Sequence, residues 1–145
     1  MENRQRTVVL IADDDADDRF LLARAAEKSQ LPIKLVTVED GGQLMDYLFQ
    51  RKRRRQNGKN SLPQLILLDL NMPVKCGMDA LEEIKSDEEL KFIPVVIWTT
   101  SSDPIQSEKA RRLGACDYIV KKMTFQGIVD DLKRGLTEHV CQTSS

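Results

Sequence analysis

Apolar residues along this chain gather in five short runs, separated by longer stretches with helical spacing. Strand patterning falls at residues 8–12, 34–38, 65–69, 94–99 and 118–120. Leu65-Ile66-Leu67-Leu68 and Val95-Val96-Ile97-Trp98 contain no polar residue to turn toward water, as expected of strands covered on both faces. Residues 34–38 alternate in the manner of an edge strand. Helical spacing covers 16–29, 41–55, 78–86 and 125–139, with a further helix opening at Asp103 and ending at Gly114. In the first helix, Phe20, Leu21 and Ala25 are expected on the apolar face. Turn chemistry separates the elements. Leu31-Pro32 ends the first helix, Gly41-Gly42 opens the second, and Asn57-Gly58 marks a turn in a polar loop. Pro73 and Gly77 stop the third strand, Asp103 is a capping residue, and Gly114 suits the position just past a helix.

Five strand–helix units without internal repeats imply an α/β fold. The expected form is a doubly wound five-stranded parallel sheet, order 2-1-3-4-5, with five helices. In such a sheet ligands bind beyond the carboxyl ends of the strands, at the switch point between strands one and three. The 145 residues are expected to form one domain, with a core over about 6–138 and a polar tail at 141–145. Net charge is −1, so nothing draws the chain as a whole to nucleic acid or membrane. No apolar stretch approaches the roughly 20 residues of a membrane span. Residues 1–7 are polar, and the three cysteines (Cys76, Cys116, Cys141) lack metal-ligand spacing. A cytoplasmic location with reduced thiols is the expectation.

The chemistry sits at the strand ends. Asp13-Asp14-Asp15 follows the first strand, and Asp69 closes the third. Carboxylates brought together repel, and a proton or a cation must relieve them. A hard cation with oxygen ligands fits, and Mg²⁺ typically takes one or two carboxylates and leaves the rest to water and phosphate. Such an ion keeps Asp69 ionised, and a carboxylate can act as a nucleophile to form an aspartyl phosphate. Thr99 closes the fourth strand with a hydroxyl and Lys121 follows the fifth with a cation, both suited to transferred phosphoryl oxygens. Any one of these residues could be only a turn or cap residue; Asp13–Asp15 could simply complement a helix macrodipole. Their placement at four core strand ends is what points to a site.

With these motifs, the chain resembles the CheY-like receiver domain of two-component response regulators over about residues 6–138. The resemblance is carried by Asp13-Asp14, by Asp69 within Asp-Leu-Asn-Met-Pro, and by Gly77, Thr99 and Lys121 at the receiver spacing. It implies a phosphoryl-accepting signalling switch rather than an enzyme. Asp69 would accept a phosphoryl group from a phosphohistidine on a sensor kinase. Asp14 would ligate Mg²⁺ directly, Asp13 through water, and Asn71 through its backbone carbonyl. Lys121 would pair with the phosphoryl oxygens and Thr99 would hydrogen-bond one of them. Tyr118 occupies the aromatic switch position, turning as Thr99 is drawn inward. Within the family the chain looks most like single-domain regulators that partner phytochrome-type histidine kinases, on Val38-Glu39-Asp40-Gly41, Met45-Asp46-Tyr47-Leu48 and Trp98-Thr99-Thr100-Ser101-Ser102. That subgroup also suggests a homodimer.

One position departs from the family, which has Lys-Pro with a cis peptide after the fifth strand; here Lys122 follows Lys121. A non-proline cis bond costs about 2.5–4 kcal/mol. The expected turn is therefore trans or strained, with Lys121 displaced. No effector domain is expected, so output would pass to a downstream protein, a phosphotransfer partner or a second copy. Arg51-Lys52-Arg53-Arg54-Arg55 reads as a solvated helix end; without interleaved aromatics it argues against nucleic-acid recognition. A haloacid-dehalogenase-like hydrolase would want an acid where Asn71 stands. A flavin binder would want a Ser/Thr/Gly-rich loop where the aspartates stand. A receiver that binds partners without phosphorylation is the third alternative, resting on Lys122.

Overall fold

The computed structural model describes residues 7–55, 62–122 and 124–140. The turn expected at 57–58, Cys141 and the polar tail lie outside them. The chain alternates β1 (Thr7–Ala12), α1 (Ala16–Lys28), β2 (Ile33–Val38), α2 (Gly41–Arg55), β3 (Leu65–Leu68), α3 (Gly77–Ser86), β4 (Val95–Thr99), α4 (Pro104–Arg112), β5 (Asp117–Val120) and α5 (Phe125–His139). The strands form one parallel sheet in the order β2-β1-β3-β4-β5. Parallel pairing sets Ala12 beside Leu68, Leu68 beside Ile97 and Thr99 beside Val120. The residues that follow β1, β3 and β5 therefore emerge along one edge.

Successive strand side chains point to opposite faces, and this builds two cores. Leu10, Ala12, Ile66, Leu68 and Ile97 meet Leu44 and Leu48 of α2, Leu81 and Ile84 of α3 and Ala110 of α4. Val9, Ile11, Leu65, Leu67, Val96 and Trp98 meet Leu22 and Ala25 of α1 and Ile128 and Leu132 of α5. β3 and β4 are buried along their whole length, which explains their unbroken apolar runs.

The face of α1 differs from the expected one. Its buried residues are Asp18, Leu22, Ala25 and Ala26, whereas Phe20 is 60% exposed and Leu21 lies at the rim. A stripe at i, i+4, i+7 and i+8 is a single helix face, and Phe20 falls nearly opposite it. The charge run at the end of α2 is also less free than expected. Lys52 Nζ donates to Asp87 Oδ2 at 2.8 Å, and the Arg51 guanidinium lies 5.0 Å from the centre of the Tyr47 ring. Arg53 and Arg54 are exposed.

α5 is tied to the sheet by two polar clamps. Trp98 Nε1 and Lys122 Nζ both donate to the buried Asp131 carboxylate, each at 3.1 Å. Further along, Arg134 grips Asp117 through Nε at 2.9 Å and Nη2 at 2.8 Å, and His139 Nε2 lies 2.9 Å from the same carboxylate. Burial pushes the Asp117 carboxyl up, but His139, the Tyr118 amide and Arg134 together hold it below its ordinary value.

Geometry requires glycine at Gly114 and at Gly77. Gly114 ends α4 at φ +115°, a conformation open to glycine and strained for other residues. At Gly77, the first residue of α3, a Cβ would lie 2.3 Å from the Asp69 carbonyl oxygen. The β3–α3 connection folds that tightly because Gly77 donates its amide to Leu70 O at 3.0 Å. Gly77→Ala is expected to lower stability by about 2 kcal/mol through backbone displacement. Chemical denaturation should show a lower midpoint with an unchanged slope.

Candidate phosphoacceptor site

Backbone ladders carry the site residues to the sheet edge. Asp13 N donates to Val38 O at 3.1 Å, Asp69 N to Ala12 O at 3.0 Å and Lys121 N to Thr99 O at 2.8 Å. Each ladder thus runs one residue past its strand, and the side chain beyond it turns into a common pocket. Asp15 is not part of that pocket. Its carboxylate caps α1, accepting from Asp17 N at 2.9 Å and Asp18 N at 3.3 Å. Of the other two aspartates in the run, Asp13 is buried and Asp14 is exposed at the rim.

Lys121 is the centre of the pocket. Its Nζ donates to Asp18 Oδ2 at 2.7 Å, to Asp13 Oδ2 at 2.8 Å and to Asp69 Oδ2 at 3.2 Å. The face of the Trp98 ring lies 4.8 Å away. Asp69 Oδ1 accepts from Thr99 Oγ1 and from Asn71 N, both at 3.1 Å. Burial alone would push the Lys121 ammonium down, but its hydrogen bonds to Asp13 and Asp18 and the charge of Asp69 hold it above its ordinary value of 10.5. For Asp13 burial wins: its carboxyl is raised despite Lys121, because it is wholly enclosed and faces Asp69.

Most of the expected residues are brought together: Asp13, Asp14, Asp69, Thr99 and Lys121 share this edge. Thr99 is already turned inward and bonded to Asp69. Tyr118 is half-buried and donates its hydroxyl to Ser101 O at 2.8 Å, at the start of the loop after β4. The Lys121–Lys122 peptide is trans, since no cis bond occurs among the described residues. Lys121 nevertheless reaches the pocket, so the expected displacement does not occur.

Asp18 was missed by the reading of the sequence, which took it only as the start of a helix. The signal was available. Asp18 precedes Leu22 and Ala25 by four and seven residues, so it lies on the buried face of α1. In the first turn, a side chain leaning toward the helix N-terminus reaches the strand ends. Trp98 was read as a strand residue and as part of a subgroup motif, not as a neighbour of Lys121, and its approach to Lys121 depends on the pairing of β4 with β5.

The donor set suits a divalent cation. Ligand oxygens of Asp13, Asp14 and Asp69 all lie within 4.8 Å of one another. These are hard oxygen donors with more negative charge than Lys121 can balance, which fits Mg²⁺ or Mn²⁺.

The family model for the response regulator receiver domain matches residues 9–133. The chain belongs to this family. Receiver domains act in phosphorelay signalling as switches; they partner histidine kinases and bind Mg²⁺ at the acidic pocket. Response regulator Rcp1 of Synechocystis sp. is 38% identical over 126 residues, covering 87% of this chain and 83% of that protein. The phosphorylated cyanobacterial phytochrome response regulator RcpA superposes with a TM-score of 0.79 at 33% identity, covering 94% of this chain and 98% of that one. The Mn²⁺-bound form of Rcp1 superposes with a TM-score of 0.78 at 30% identity, covering 93% and 97%. The likeness to phytochrome response regulators agrees with the subgroup suggested by the sequence motifs. Among the described residues, no helix is long and apolar enough to cross a membrane.

Lys121→Met would leave the buried Asp13, Asp18 and Asp69 carboxylates without their shared cation. In metal-free buffer the expected loss is about 3–5 kcal/mol of stability. Because the ammonium is held above its ordinary value, the stabilisation is complete below pH 10.5 and fades as pH rises through the raised value. Denaturation of both proteins across alkaline pH should show the gap between them shrinking above 10.5.

Proposed function

We propose that this receiver accepts a phosphoryl group on Asp69 from a phosphohistidine of a sensor histidine kinase. The N–P bond breaks with its electron pair returning to the imidazole, and an Asp69 carboxylate oxygen forms the new O–P bond. The observation that supports this most directly is the hold on Asp69. Its carboxylate accepts from Lys121 Nζ, Thr99 Oγ1 and Asn71 N, and it lies where β3 leaves the core at the carboxyl edge of the sheet. In this reading Asp13, Asp14, Asp69 and the backbone carbonyl of Asn71 hold Mg²⁺, which supplies positive charge against the phosphoryl oxygens. Lys121 supplies a second cation and Thr99 a hydroxyl donor to those oxygens.

The output follows from the same contacts. Phosphorylation moves the Thr99 hydroxyl from the carboxylate to the new phosphoryl group, and Tyr118 exchanges its tether on Ser101 O for a more buried position. That alters the face formed by α4, β5 and α5. A downstream protein, a phosphotransfer partner or a second copy of the chain reads the change. The kinase is of phytochrome type in this reading, supported by the likeness to RcpA and to the bacteriophytochrome response regulator RtBRR, 33% identical. The phosphorylation-independent alternative rests on Lys122, and the position of Lys121 in the pocket supports the phosphorylated reading instead.

Intact-protein mass spectrometry after incubation with acetyl phosphate tests the reading. The expected result is a gain of one phosphoryl group that requires Mg²⁺ and disappears in Asp69→Asn. No gain in the wild type, or a gain that persists in Asp69→Asn, would overturn it.

A further inference from the structure

An ammonium has three N–H donors, and on Lys121 each is directed at a different carboxylate. Two of these, Asp13 and Asp69, also belong to the oxygen cluster suited to a divalent cation. The third, Asp18, lies outside that cluster and makes the shortest of the three bonds, 2.7 Å. The two sets of partners conflict. When Asp13 and Asp69 turn their oxygens to a dication, their lone pairs are claimed and the two positive charges repel. Lys121 must then loosen two of its three bonds in a pocket where its side chain is only 2% exposed. A buried ammonium without a full partner is costly, and the alternative is to leave the pocket altogether.

Asp18 offers a third course. It sits outside the cluster, in the first turn of α1, where Asp15 caps the helix and fixes the backbone amide of Asp18. A carboxylate there also complements the helix macrodipole. The Trp98 ring face backs the ammonium from another side. We propose that Asp18 is a positioning residue for Lys121: it retains the ammonium at the site while Asp13 and Asp69 hold a divalent cation. Lys121 then remains within the pocket for the incoming phosphoryl group. The inference rests on the metal-binding part of the proposed function.

Calorimetric titration with Mg²⁺ and with Mn²⁺ tests it on the wild type, Asp18→Asn and Asp17→Asn. The last removes the same charge from the exposed side of the same helical turn. Without Asp18, Lys121 leans wholly on Asp13 and Asp69 and competes harder for their oxygens. Asp18→Asn is therefore expected to weaken cation binding about tenfold more than Asp17→Asn, the scale of coupling within one ion-pair network. In a Lys121→Met background that excess should vanish, because Asp18 acts through Lys121. Equal effects of the two substitutions, or an excess that survives in Lys121→Met, would overturn the proposal. A wild-type measurement covers the case in which Asp18→Asn does not fold. The ¹⁵Nζ resonance of Lys121 should stay protected from solvent exchange as Mg²⁺ saturates the protein; loss of protection would overturn the proposal. If the wild type binds neither cation, the metal reading fails and this inference falls with it, an outcome distinct from binding that is indifferent to Asp18.

Discussion

Three buried carboxylates share a single ammonium, and the architecture around the sheet edge serves that arrangement. Asp13, Asp18 and Asp69 approach Lys121 Nζ within 3.2 Å from three separate segments. Removed from water, such charges are stable only when every partner is in place. The strand-end ladders at Asp13, Asp69 and Lys121 and the Asp15 cap on α1 provide that placement, each fixing the backbone beneath one charged group. A cluster of this kind is weak evidence for stability in itself, since apolar residues would fill the space at lower cost. Its excess of negative charge suits a divalent cation.

The two-sided core is what lets a charged pocket exist at the rim. β3 and β4 are enclosed on both faces, so the ends that carry Asp69 and Thr99 emerge from strands buried along their whole length. α5 adds a polar frame on one face. Asp131 joins Trp98 to Lys122, immediately beyond Lys121, while Asp117 receives Arg134 and His139 further along the helix. The turn after β5 is thus fastened by an ion pair at the residue that replaces the family's proline. The close approach of this turn to α5 appears again at Gly127, where a Cβ would meet the Lys122 side chain at 2.6 Å.

The expected strand order and most element limits agree with the structure, because hydrophobic period and turn chemistry are local properties. β3 ends at Leu68 rather than Asp69, yet the Asp69 amide still joins the ladder to Ala12. The error on α1 has a simple cause. Phe20 and Leu21 are apolar, but helix rotation and the charged demand at Lys121 select the stripe through Asp18 and Leu22. A polar residue on a buried face reads as noise until its partner is known.

Apolar runs, glycines and capping residues in the sequence determined the parallel α/β sheet, and the spacing of Asp13, Asp14, Asp69, Thr99 and Lys121 pointed to the sheet edge where they gather. Each of those signals depends on neighbours along the chain or on a repeated family spacing. Only the tertiary structure decided that Asp18 takes the shortest bond to Lys121, that Trp98 backs the ammonium, and that a trans Lys121–Lys122 turn still delivers it. Asp18 and Lys121 are 103 residues apart in the chain. Contacts at that separation depend on how strands pair and helices rotate, which local patterning constrains but does not specify.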